Sequence, residues 1–343
     1  MTAKSNILVT GGAGFIGSHT SVELINDGHN VFIIDNLSNS RIEAIEGIAQ
    51  ITGTQPYFEQ FDLCDREKLN KFFSKNKIDA IIHFAALKAV GESVQKPLEY
   101  YKNNLLSNIH LLEMCIQHRV KGLVFSSSCS VYGEPDTLPV SEKAPLKKAE
   151  SPYANTKRMC EDMIRDSVLI SNINAIILRY FNPVGAHASA IIGELPLGTP
   201  NNLMPVITQT AIGKRSGFEV FGTDYDTPDG SCIRDYIHVV DLAKAHVVAV
   251  NRLLNGANKE KCETFNLGTG NGISVLEMIL AFEKHTGMKL NYKLGGRRAG
   301  DVVKVYSDTQ WANEELQWKA QLGLKEMVES AWKWEQKMAE KVV

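Results

Sequence analysis

The sequence predicts an α/β protein built on a doubly wound, Rossmann-like parallel sheet, with a smaller C-terminal α/β unit. Three observations carry that expectation. Short β-branched apolar runs alternate with helix-period segments, the runs are continuous rather than alternating in polarity, and the pattern changes after about residue 182. Continuous apolar strands are covered on both faces, as parallel sheets require. Strand–helix–strand order with right-handed crossovers then gives the doubly wound arrangement.

Residues 7–9, 31–34, 80–85, 123–125 and 175–178 are the strand runs. Leu105, Ile109, Leu112 and Ile116 make a helical stripe between two of them. That stripe suits either an intradomain core or a contact between two copies. Residues 183–235 are rich in Gly, Pro and Asn and read as loop-dominated, with one helix near 203–213. A helix near 239–254, a strand near 264–267 and helices near 274–286 and 323–339 follow. The expected division is a dinucleotide-binding unit over 1–182 and a substrate unit over 183–343, with about 235–254 returning to the first.

Composition narrows the function. The 343 residues are 44% hydrophobic and 22% charged, which is ordinary for a soluble globular chain. A chain this long builds a core without a metal or disulfide staple. The 37 basic and 39 acidic residues leave a net charge of −2, no excess for nucleic acid or an anionic membrane. Cys64, Cys115, Cys129, Cys160, Cys232 and Cys262 form no Cys-x-x-Cys pair and no zinc spacing, so no metal is expected. Scattered cysteines fit a reducing compartment. Glycines interrupt the N-terminal apolar stretch, and no run approaches the roughly 18 residues of a membrane span. The expected location is the cytoplasm.

The segment Thr10-Gly11-Gly12-Ala13-Gly14-Phe15-Ile16-Gly17 follows the first strand and opens a helix. Glycines at 11, 14 and 17 allow a tight turn, a bare backbone near a pyrophosphate and close helix–strand packing. The helix start offers N–H groups and a positive dipole end to the phosphates. Asp35 ends the second strand, where a carboxylate accepts from an adenosine ribose and repels a 2′-phosphate. The cofactor expected is therefore NAD rather than NADP.

Tyr153 and Lys157 lie one turn apart on a helix that Ser151 and Pro152 open as N-cap and first residue. An ammonium beside a phenol favours the phenolate and lowers its pKa from about 10 towards neutrality. Tyr153 is thus the candidate general base. Ser126-Ser127-Ser128 ends the 123–125 strand, on the side where open α/β sheets bind ligands. Ser128 is placed to bridge a substrate oxygen and the phenol.

Together these features resemble the extended short-chain dehydrogenase/reductase family, and within it the members that epimerise nucleotide-linked hexoses. The resemblance spans nearly the whole chain. It rests on Asp35-Asn36-Leu37, Phe84-Ala85-Ala86-Leu87-Lys88, the segment Ser126 to Gly133 and the segment Arg179 to Ala186. Asn201 to Pro205, Arg234 to His238 and Arg298 to Asp301 extend it into the second half. It implies that Phe15, Ile16, Asn36, Asp62, Leu63, Phe84, Ala85, Ala86, Lys88, Asn103, Ser126 and Tyr180 help hold NAD. Asp62 and Leu63 would flank the adenine. Asn182, Asn202, Leu203 and Lys88 would line a UDP-sugar site, Arg234 and Arg298 would contact its diphosphate, Asp301 its ribose and Phe221 its uracil. Two helices, near 98–118 and 153–171, resemble those that pair two subunits, which implies a homodimer.

The implied chemistry is inversion at hexose carbon 4 through a transient 4-keto sugar. Lys157 would also hydrogen-bond the nicotinamide ribose. Dehydratases of the family carry an acidic pair just before the Val-Tyr-Gly segment, whereas Cys129 and Ser130 stand here. Asp35 argues against an NADPH reductase, and the intact Ser128, Tyr153 and Lys157 against a silent NAD-sensing scaffold. Val305 stands where some members carry a bulky tyrosine, so N-acetylated UDP-hexoses are expected to fit as well.

Overall fold

A computed structural model describes residues 4–297 and 302–340. The first half alternates β1 Asn6–Thr10, α1 Phe15–Asn26, β2 Asn30–Asp35, α2 Glu43–Thr52, β3 Tyr57–Gln60, α3 Arg66–Lys75, β4 Ala80–His83, α4 Val90–Gln95, α5 Pro97–Gln117, β5 Gly122–Ser128, α6 Pro152–Leu169 and β6 Asn174–Tyr180. The second half carries β7 Asn182–Val184, α7 Leu203–Ala211, β8 Phe218–Phe221, β9 Ile233–His238, α8 Val239–Leu254, β10 Cys262–Leu267, β11 Gly272–Ser274, α9 Val275–Thr286, β12 Tyr292–Gly295, β13 Lys304–Val305, α10 Gln310–Glu315 and α11 Leu324–Glu340.

Seven parallel strands form the central sheet in the order β10-β6-β5-β4-β1-β2-β3. The order reverses between β1 and β4, which opens a crevice at the carboxyl ends of those strands. Apolar residues on both sheet faces fill two cores. One joins Val9, Ile33, Ile82 and Ile176 to Leu242 and Val250 of α8, and the other joins Leu8, Ile81 and Phe125 to Leu111 of α5 and Ile164 of α6. The chain therefore leaves the central sheet after β6 and comes back twice, as the covering helix α8 and as the outermost strand β10.

Before and after those returns the chain builds the second unit, where β9 pairs with β7, β11 and β13, and β8 pairs with β12. Met204, Ile207, Met278, Phe282, Val328 and Trp332 bury a third core among α7, α9 and α11. Residues 183–235 are mostly loop around the helix α7, as expected, but the short strand β8 and parts of β7 and β9 were not anticipated, and β9 was obscured because Arg234 and Asp235 interrupt its apolar pattern. The stripe on α5 divides: Leu112 is buried and Leu105 packs on the core, while Ile109 and Ile116 are exposed.

Candidate active site

The glycine turn shows why no larger residue serves there. A Cβ on Gly17 would sit 2.3 Å from the Gly11 carbonyl oxygen, and one on Gly11 would sit 2.8 Å from the Ala85 backbone nitrogen. Gly11 also adopts φ +71, a left-handed conformation. Helix α1 has no side-chain cap at Gly14, so its first turn faces the crevice with bare backbone. This cradle fits a dinucleotide pyrophosphate. Asp35 is buried at the end of β2, accepting from Ala13 N at 3.0 Å and from Leu37 N and Ser40 Oγ at 2.9 Å. One carboxylate thus locks the glycine turn to the β2 loop while retaining acceptor capacity for a ribose. Asn36 donates to Asp62 at 3.0 Å, and the Leu63 carbonyl meets His110 at 3.0 Å, which sets the next wall.

Strand β4 runs into Phe84, Ala85 and Ala86, all half-buried along the crevice. Phe84 and Tyr180 both pack against the buried His246 ring, at 4.7 and 5.9 Å between centroids. The hydroxyls of Ser126 and Tyr180 are hydrogen-bonded across β5 and β6. Asn103 donates to its neighbour Asn104, which in turn grips both backbone groups of Leu87 and donates to Thr156 on α6. The sequence offered no sign of Asn104; only the meeting of α5, α6 and the β4 loop reveals it.

Helix α6 begins as expected, with Ser151 Oγ accepting from Ala154 N at 3.2 Å and Pro152 in the first turn. The Tyr153 phenol lies beside the Ser128 hydroxyl. Lys157 is buried, and its Nζ donates to the Ser126 carbonyl at 2.6 Å. One expectation needs correction. Burial pushes the Tyr153 phenol up to about 12, although the Ser128 hydroxyl acts in the opposite sense. Lys157 does not bring it towards neutrality, because the ammonium is turned to Ser126 and lies 6.0 Å from the Tyr153 ring centroid. Burial also brings Lys157 down to about 8. The phenolate therefore depends on further positive charge entering this dry space, where charges couple strongly.

The expected substrate residues cluster beyond β6. Asn182 opens β7 and pairs with Tyr236 on β9, and Val305 on β13 pairs with Arg234. Val305 is buried in a small core with Tyr132 and Phe181. Asp235, beside Arg234, is fully buried and accepts from Thr269 N at 2.8 Å, Thr269 Oγ1 at 2.7 Å and Ser307 N at 3.1 Å. Those bonds hold the backbone of β9 still. Asn202 caps the entry to α7 ahead of half-buried Leu203. Phe221 is exposed at the end of β8. Arg298 and Asp301 lie outside the described residues. Glu194 was missed by sequence reasoning: its Oε1 accepts from Asn202 Nδ2 at 2.5 Å and lies 3.7 Å from Lys88 Nζ. Nothing local marks that carboxylate, since its partners come from two different segments.

Six thiols are free, and burial pushes that of Cys129 up to about 12, which leaves it protonated. Among the described residues no cluster of His, Cys, Asp and Glu has a metal-holding arrangement. None of the described helices is long and apolar enough to cross a membrane.

Comparison with known proteins agrees with this geometry. Residues 7–268 match the model of the NAD dependent epimerase/dehydratase family. A UDP-glucose 4-epimerase of Mus musculus is 51% identical over 338 residues, covering 96% of each chain. The crystal structure of UDP-glucose 4-epimerase from Bifidobacterium longum with NAD+ and UDP superposes with a TM-score of 0.93 at 46% identity, covering 97% of this chain and 98% of that one. The Stenotrophomonas maltophila enzyme with NAD and formylated UDP-arabinopyranose gives 0.94 at 47% identity, covering 98% and 99%.

The cradle makes a direct prediction. Gly17→Ala should weaken dinucleotide binding by at least about tenfold, some 1.4 kcal/mol, because the added carbon displaces the turn. Titration of stripped protein with NAD, followed by calorimetry, checks this; unchanged affinity would remove the cradle assignment.

Proposed function

The chain belongs to the NAD dependent epimerase/dehydratase family, and from that premise we propose that it interconverts UDP-galactose and UDP-glucose, acting as an isomerase at hexose carbon 4. The observation that carries this reading is the half-buried Ser128 and Tyr153 set side by side, with no carboxylate at Cys129 or Ser130. Such a site moves one proton and one hydride but has no acid–base pair to eliminate water. Relatives at about half identity over nearly the full chain support the same reaction.

Bound NAD supplies a hydride acceptor at carbon 4 and the donor that returns hydride to the opposite sugar face. The residues suited to hold it are Gly11, Gly14, Gly17, Asp35, Lys157 and Tyr180. Tyr153 takes the proton of the 4′-hydroxyl and later gives it back. Ser128 orients that oxygen, and Lys157 fixes the wall beside it. The flat 4-keto hexose must turn over before hydride returns, so the diphosphate needs a fixed anchor. Arg234 suits that role as a planar multi-donor cation on a strand immobilised by Asp235. No external redox partner enters the balance.

Two finer points belong to the same reading. Val305 leaves room that a tyrosine would fill, which favours acceptance of N-acetylated UDP-hexoses. Ile109 and Ile116 on α5 and Met159 on α6 are 40, 44 and 40% exposed and line one apolar outer face, suited to a second copy of this chain. The free thiols suit the cytoplasm.

Tyr153→Phe should lower turnover of UDP-galactose by roughly 100- to 10000-fold while NAD stays bound, since only the proton acceptor is lost. A coupled assay for UDP-glucose, run without added NAD, checks it; near-native turnover would remove the acid–base assignment. The native chain should also turn over UDP-N-acetylglucosamine. If neither it nor Val305→Ala does so, the gate idea fails. Ile109→Arg should shift the mass measured by light scattering from two chains to one.

A further inference from the structure

The three consecutive serines at the end of β5 each engage a different residue of α6. The Ser128 hydroxyl lies beside the Tyr153 phenol, the Ser126 carbonyl accepts from Lys157 Nζ at 2.6 Å, and the Ser127 hydroxyl donates to Glu161 Oε1 at 2.6 Å. On α6 those partners are four residues apart, so they share one face. The first two are the reacting end of the site. The third has no role in the reaction described above, yet it is the most heavily bonded of the three.

Glu161 is 0% exposed and also accepts from Arg179 Nε at 2.9 Å, Arg179 Nη2 at 2.5 Å and Arg165 Nη2 at 2.8 Å. A buried carboxylate is tolerated only when paired and saturated with donors, and this one is. Arg179 continues to the Tyr132 hydroxyl at 3.0 Å, and its strand leads directly to Tyr180, whose hydroxyl returns to Ser126. The bonds thus close a ring through β5, α6 and β6.

We propose that Glu161 is a positioning residue for the epimerisation: it sets the rotation and axial register of α6 on β5, and so the places of Tyr153 and Lys157. The inference rests on the epimerase reading above. Around this rung stand Arg165 and Cys160 on α6, Arg179 on β6 and Cys262 on β10, while Lys157 faces His83 on β4. His83 stays neutral, brought down to about 3 by burial, so Glu161 is the anion that balances the nearby cations. Glu161 also helps keep Lys157 protonated, so removing its charge lets the ammonium lose its proton at lower pH and moves the basic limb of turnover to lower pH.

The test compares native, Glu161→Gln and Ser127→Ala enzymes, each with its NAD content verified, for kcat, KM for UDP-galactose and the pH profile. Glu161→Gln should lower kcat by about 100-fold through misplacement of the reacting groups, with KM within about threefold of native. Its basic limb should move to lower pH, which loss of packing alone would not cause. A kcat within about twofold of native, or an unmoved limb, would overturn the assignment. If Glu161→Gln does not fold, Ser127→Ala decides: a kcat lowered about tenfold at normal NAD content supports the rung, and a native kcat overturns it. A native chain without turnover would instead overturn the function itself, a result distinct from native turnover with unaffected variants.

Discussion

A buried ammonium organises the centre of this molecule. Lys157 is 4% exposed, and desolvation works against its charge. The interior tolerates such a cation only where oxygen atoms are already fixed around it. The Ser126 carbonyl is one, on the stretch of β5 that runs past its last β4 partner at Phe125. Helix α6 must then lie along β5 with its first turn at the strand's carboxyl end. Ser151 and Pro152 start it in that place, and Thr156 anchors it to Asn104. The place of the phenol at the helix start follows from that one accommodation.

The same dryness explains why local reasoning about the phenol went astray. Spacing on a helix shows that Tyr153 and Lys157 are neighbours, but not which way the ammonium points or how much water remains. Burial is a property of the assembled sheet, contributed by strands far away in the chain, and it outweighs the pair interaction.

Other features divided along similar lines. Strands β1, β2, β4, β5 and β6 were legible because both faces are covered and each carries a continuous apolar run. Strand β3 was not, for Tyr57 is 47% exposed at the sheet edge and no continuous apolar run marks it. Arg234 and Asp235 hid β9, because the donors that make a buried aspartate acceptable come from Thr269, Gly270 and Ser307. The catalytic tyrosine, lysine and serine could be read from spacing and strand ends. Asn104 and Glu194 could not, since each draws its partners from separate segments. The α5 stripe was read as either core or a contact between copies, and it divides between a buried Leu112 and exposed Ile109 and Ile116.

The late return of the chain to its first sheet bears on how the protein is made. Strand β10 is the outermost partner of β6, yet it follows the whole β7–α8 stretch. While the ribosome is still adding those residues, β6 presents a bare hydrogen-bonding edge, the kind of surface that recruits neighbouring nascent chains. The helix α8, emerging just before β10, covers apolar surface on β4, β5 and β6 but leaves that edge open. Completion of the nucleotide-binding half therefore waits on synthesis of much of the other half, and the two mature together rather than in succession.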